Sequence, residues 1–324
     1  MFYNKKMQFT IPVPITKSNF PIDYNSRIMS LGSCFAENIA EKFDYFKFQN
    51  MVNPFGIIFN VISIERIVER IVYQEFFTEK DVFYHNELWH CFEIHSQLSH
   101  TDKDVFLKNL NQILKNSNIQ FAKLSHFIIT YGTSWVYRNI ETNQIVANCH
   151  KIPQNFFTKE LLSQEITQKS IEKTISLINS INKNVKFIFT VSPVRHIKDG
   201  FVENNVSKSN LITAIYQHLQ TENYNLKAEY FCSYEIILDE LRDYRFYKED
   251  MLHPNQTAID YVWERFSETH FSKEINSTMN EICSIQKMIN HKPINPNSIL
   301  NQELKTKIKE KILKLQVEFP QIIF

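Results

Sequence analysis

The segment KFIFTVS, residues 186–192, is apolar almost without a break. A strand with one face in water alternates apolar and polar side chains, whereas a nearly continuous apolar run suits a strand of a parallel sheet buried on both faces. RIMSL (27–31) and the apolar FIITY (127–131) are also strand-like, with a further extended run at about 45–51. Amphipathic helical patterns lie between these runs. Residues 34–44 put Phe35, Ile39, Ala40 and Phe43 on one face, and 61–72 and 102–116 show similar apolar spacing. The alternation continues with helices at about 158–182, 207–222 and 233–242 and a short strand near 228–232. Asn255 then caps a helix that carries Ala258, Tyr261, Val262 and Phe266. Strands alternating with helices predict an α/β fold, a three-layer α/β/α sandwich around a central, mostly parallel sheet. Two segments read as inserted β-hairpins: 82–95, turning at His85-Asn86, and 135–150, with Thr142-Asn143 at its tip. We divide the chain into an α/β domain, 1–270, and a helical C-terminal extension, 271–324. In the extension, LNQELKTKIKEKILKLQ (300–316) reads as an arm that packs on the domain or joins copies, or as a solvated helix.

Composition narrows the function classes. A net charge of +1 over 324 residues, with no basic block, gives no electrostatic case for nucleic acid or an anionic membrane. Five cysteines without a CxxC or paired framework are expected to be reduced thiols in a cytoplasm. The opening MFYNKKMQFTIPVPITKSNF has no continuous apolar core, so neither a signal peptide nor a membrane span is expected. His90 and Cys91 with His95 do not reach zinc-ligand spacing, and alternation along one strand would put His90 on the opposite face from the other two.

There are only four glycines, and three of them, Gly32, Gly56 and Gly132, follow strand-like runs. The loops beyond the carboxyl ends of parallel strands form the ligand crevice of such sheets. At the first of these ends stands Gly32-Ser33-Cys34, where a helix begins. Far along the chain, Asp250-Met-Leu-His253 precedes the last core helix. A nucleophile at a helix N-terminus faces unpaired amides that lower a thiol's pKa and stabilise an oxyanion. A histidine supplies the base, and an aspartate three residues earlier fixes its tautomer.

Leu31-Gly32-Ser33-Cys34-Phe35-Ala36 contains the signature of the GSCFA family, placed with the SGNH (GDSL-like) hydrolases, and the chain resembles that family over most of its length. The resemblance also rests on Asn53-Pro-Phe-Gly56, Tyr131-Gly-Thr-Ser-Trp-Val-Tyr137, Asn148-Cys-His-Lys151, Val191-Ser-Pro-Val-Arg-His196 and Asp250-Met-Leu-His-Pro254. It implies an SGNH-hydrolase or flavodoxin-like sheet. It also implies an esterase or O-acyltransferase that works through an acyl-enzyme on a small-molecule or carbohydrate ester. Matched residue by residue, His253 is the base and Asp250 its partner. Gly56 offers an oxyanion amide, and Asn53, in the same string, is a further oxyanion- or substrate-binding candidate. Cys34 falls at the nucleophile position and Ser33, which also suits a helix cap, beside it; both stay candidates. Where the superfamily pattern has an asparagine after the third glycine, this chain has Thr133-Ser134, so Ser134 or Asn148 is expected to replace it. His150 and Arg195 are further substrate-binding candidates, Arg195 for an anionic group, although a turn-capping ion pair is the simpler account of it. No metal or organic cofactor is needed for this chemistry. The altered asparagine and the doubled Ser-Cys leave a second function open, a binding module that has lost turnover.

Overall fold

The computed structural model describes residues 10–220 and 227–324. The chain runs β1 (Arg27–Gly32), α1 (Cys34–Tyr45), β2 (Gln49–Val52) and α2 (Val61–Tyr73), then a hairpin of β3 (Phe83–His85) and β4 (Leu88–His90). After α3 (Lys103–Lys123) and β5 (His126–Tyr131) come β6 (Trp135–Asn139), β7 (Ile145–Val146) and β8 (Phe157–Leu161). The remainder is α4 (Gln164–Ile181), β9 (Lys186–Val191), α5 (Phe201–Gln220), β10 (Ala228–Tyr230), α6 (Ser233–Glu235), α7 (Gln256–His270), α8 (Ile275–Ile289) and α9 (Ile299–Glu318).

Five strands form the central sheet in the order β10-β9-β5-β1-β2, every neighbouring pair parallel. Its side chains explain why the strand sequences are so apolar. Met29, Leu31, Phe127, Ile129, Phe187 and Phe189 enter one core with residues of α2, α3, α4 and α5. The intervening Ile28, Ile128 and Ile188 enter a second core with α1, α7 and α8. The three inner strands, β1, β5 and β9, therefore bury both of their faces, and the three layers follow. The C-terminal helices belong to the second core: Ile282, Ile285 and Leu315 share it with Phe43 and Phe48. Gln286 Nε2 also donates to Tyr45 O at 3.1 Å.

Four local readings change. The 82–95 hairpin turns at Asn86-Glu87, both left-handed (φ 48° and 62°), as a two-residue turn between twisted strands requires. Its second strand stops at His90, so the alternation expected through Cys91 and His95 does not apply. Residues 157–161 form β8, antiparallel to β6, and the helix expected from 158 starts only after Ser163, whose Oγ accepts the Ile166 N–H. α5 begins at Phe201, directly after the Gly200 turn; residues 221–222 of the expected helix lie outside the described residues. The helix expected at 233–242 is one α turn that runs on into a π turn, Ile236–Glu240. The first nine residues, part of the stretch read for a signal peptide, also lie outside the described residues. Among the described residues no helix is long and apolar enough to cross a membrane.

Candidate active site

The carboxyl end of β1 is shaped by close backbone approach. Gly32 has φ +143°, and a Cβ there would lie 2.1 Å from Thr130 O, so no side chain fits. Its N–H donates to Asn53 Oδ1 at 2.9 Å, and Asn53 Nδ2 donates to Glu37 Oε1 at 3.3 Å. Asn53 is itself left-handed (φ 38°) and buried. It is thus a brace behind the β1–α1 turn; it does not line the cavity.

Ser33 is the N-cap of α1: its Oγ accepts the Phe35 N–H at 3.3 Å, and its own N–H donates to Thr130 O. Cys34 is the first helical residue and is half-buried. The expected lowering of its thiol pKa is not found. Burial, and then the Glu37 carboxylate, push it up, against the downward pull of the Cys34 and Phe35 amides and of Lys248. A thiol held up in this way would need a base to act as a nucleophile.

The Asp250–His253 loop is tightly folded. Lys248 N–H donates to His253 O at 2.7 Å, and Asn255 caps α7 by accepting the Ala258 N–H. Asp250 Oδ1 accepts the amides of Leu252 and His253, both at 2.9 Å, and Oδ2 lies 2.6 Å from His253 Nδ1. The two amides and the imidazole hold the Asp250 carboxyl down at about 2. With Nδ1 donating to this carboxylate, His253 keeps Nε2 as the proton acceptor.

Ser33, Cys34 and His253 line one cavity of about 570 Å³. It lies beyond the carboxyl ends of β1, β5 and β9, where the strand order reverses about β1. Ile57, Phe59, Val136, Val146 and Val194 give it apolar walls; Asn60, Asn148, Arg195 and His196 are polar.

Besides Asn53, three expected substrate contacts are not found there. The Gly56 N–H donates to Asn53 O at 2.7 Å, inside its own turn. Ser134 is fully buried, with its hydroxyl donating to Ser207 O at 3.1 Å in α5. His150 is a core histidine: Nε2 is 2.7 Å from Cys91 O, the ring packs against His90, and burial pushes its pKa down to about 4. Asn148 does line the cavity. Its Oδ1 accepts the His150 N–H at 2.8 Å, leaving Nδ2 without a partner among the described residues.

The GSCFA family model matches residues 27–266. The chain belongs to the GSCFA family. A search of curated proteins finds no match. The matched span runs from the first residue of β1 into α7, so it includes both the Gly32-Ser33-Cys34 turn and the Asp250–His253 loop of this GSCFA chain.

Two residues around the cavity, Asn60 and Lys208, escape a reading of the sequence; a third, His196, stands beside Arg195 in the Val191–His196 string. Asn60, the N-cap of α2, accepts the Ser63 N–H on Oδ1 and leaves Nδ2 without a described partner. His196 packs tilted against Phe59 with ring centroids 5.5 Å apart, and burial, then Lys208, push it down to about 4. Lys208, on α5, is fully buried, and its ammonium donates to Gly132 O (2.5 Å) and Ser192 O (2.7 Å). It thus ties the ends of β5 and β9 together. Burial lowers it to about 7, while the nearby Cys34 sulfur pulls it up.

Proposed function

We propose that this GSCFA chain is an SGNH-type acyl-transfer enzyme that cleaves an ester, or passes its acyl group to another hydroxyl, through a thioester on Cys34. The observation that carries the reading is that Cys34 and His253, whose imidazole Asp250 holds, line the same cavity from opposite ends of the matched region. In the proposed cycle His253 Nε2 takes the Cys34 thiol proton as the sulfur attacks the ester carbonyl. The carbonyl electron pair moves onto oxygen, where Asn148 Nδ2 and the Cys34 N–H at the helix mouth hold it. On collapse the C–O bond breaks and the imidazolium returns its proton to the leaving alkoxide. A water or a second hydroxyl, deprotonated by His253, then attacks the thioester carbonyl; the C–S bond breaks, the acyl group leaves as acid or new ester, and the imidazolium proton returns to the Cys34 sulfur. Asp250, ionised at all but strongly acid pH, stabilises the imidazolium in both halves.

Cys34 is favoured over Ser33 because the Ser33 oxygen already caps α1. A thiol nucleophile suits a reducing compartment, such as the cytoplasm, and all five cysteines are free. A small ester, of a carbohydrate or another alcohol, fits the mixed apolar and amide-bearing walls. The test is turnover of p-nitrophenyl acetate. The wild type should release p-nitrophenol above background, and His253→Ala should lower kcat by about 10²–10⁴-fold. Equal rates in the two proteins would reject the mechanism. One observation favours the second reading, a binding module: the Gly56 amide and the Ser134 hydroxyl are both engaged elsewhere. A wild type without turnover would leave that reading standing.

A further inference from the structure

Arg195 stands out among the buried and part-buried arginines of the described residues. Arg70 is held by Glu93 and Asp81, Arg66 by Glu75, Arg138 by Glu160 and Arg265 by Glu268. Arg195, in the loop after β9, has no carboxylate partner among the described residues, and its Nε is shut off from solvent without any hydrogen bond. The turn-capping ion pair expected for it is therefore not formed. The carboxylates bordering the cavity are already committed. Asp199 pairs with Lys159 at 2.5 Å and Asp250 with His253 at 2.6 Å. The nearby charges add to the imbalance: Lys198 lines the cavity, Lys208 lies beneath it, and Lys248 acts on the Cys34 sulfur. The phenols of Tyr234 and Tyr247 are close enough to feel the guanidinium.

A guanidinium whose Nε is shut off from water and bonded to nothing, and which has no counterion, is unfavourable, and its fork of donors matches planar or tetrahedral oxyanions. We infer that Arg195 is the anchor of an oxyanion subsite, and that the ligand of this cavity carries a carboxylate or phosphate beside an apolar portion that lies against Phe59, Val136 and Val146. That the ligand is the substrate rests on the acyl-transfer reading; that the anion binds does not.

The test is ligand-observed NMR titration of the full chain with inorganic phosphate and, separately, with succinate, for wild type, Arg195→Gln and Arg195→Lys. Thermal midpoints confirm that the variants are folded. Binding of at least one anion should weaken about tenfold or more in Arg195→Gln and recover in part in Arg195→Lys. Which anion responds separates phosphate from carboxylate. If neither anion binds the wild type, or if Arg195→Gln binds as the wild type does, the subsite is overturned. Turnover of p-nitrophenyl acetate is measured on the same samples. Arg195-dependent binding without turnover leaves the subsite and removes the enzyme; turnover without anion binding does the reverse.

Discussion

Asn148 and Ser134 are the two residues proposed to replace one oxyanion donor, and their surroundings separate them. Asn148 keeps a free Nδ2 on the cavity wall, whereas the Ser134 hydroxyl is bonded into α5 beneath it. Asn148→Ala should therefore lower kcat by about 10²–10³-fold with a smaller change in KM. Ser134→Ala should leave kcat within a few-fold and show its effect as lost stability. Steady-state kinetics of the two variants checks the assignment, and a larger kcat loss in Ser134→Ala would reverse it. Single residues were also the hardest to read from sequence. Ser134 and His150 are polar residues in quoted motifs, and nothing in the string tells that one faces Ser207 and the other Cys91 O. Lys208 lies within an ordinary amphipathic pattern, where a lysine reads as solvated. Its role exists only because the carbonyls of Gly132 and Ser192, far apart in the chain, converge on its ammonium.

At the scale of the element, the β1–α1 turn is the part that most needs its sequence. Gly32 must be left-handed and must let Thr130 O within what would be 2.1 Å of a Cβ, while Asn53 holds its amide. Gly32→Ala should cost about 3 kcal/mol or more, since backbone rather than a movable side chain fills the space. Urea unfolding measures this; a change under about 1 kcal/mol would show that the turn relaxes freely. Elements were legible where one physical signal dominated. The doubly apolar KFIFTVS became β9, and the Asn255 cap marked the start of α7. β8 was not legible. Its Phe157-Thr-Lys-Glu-Leu161 is short, largely exposed, and set against β6 by tertiary pairing, so local composition merged it with the following helix.

For the whole molecule, burial of imidazoles between layers makes stability depend on pH. His126 and His150 are pushed from an ordinary value near 6.5 down to about 4, and His270 to about 3, in each case chiefly by burial. The unfolded chain binds these protons more readily than the folded one. Their contribution is therefore complete above pH 6.5, is lost as pH falls from 6.5 towards 4, and levels off below. The total is several kcal/mol, so the thermal midpoint should drop by roughly 10 °C or more between pH 7 and pH 4.5. A midpoint flat over that range would mean that the histidines are hydrated. The three-layer arrangement was legible because alternation of strands and helices leaves few topologies. Which loops close over the cavity was not, because that depends on the order of strands in the sheet.

The most direct measurement is intact mass, followed by peptide mapping, after brief exposure to p-nitrophenyl acetate. The account predicts one acetyl group on the peptide bearing Gly32-Ser33-Cys34, present in the wild type and in Ser33→Ala and absent from Cys34→Ala. An adduct that survives Cys34→Ala and disappears in Ser33→Ala, or no adduct at any pH at which the protein is folded, would contradict it.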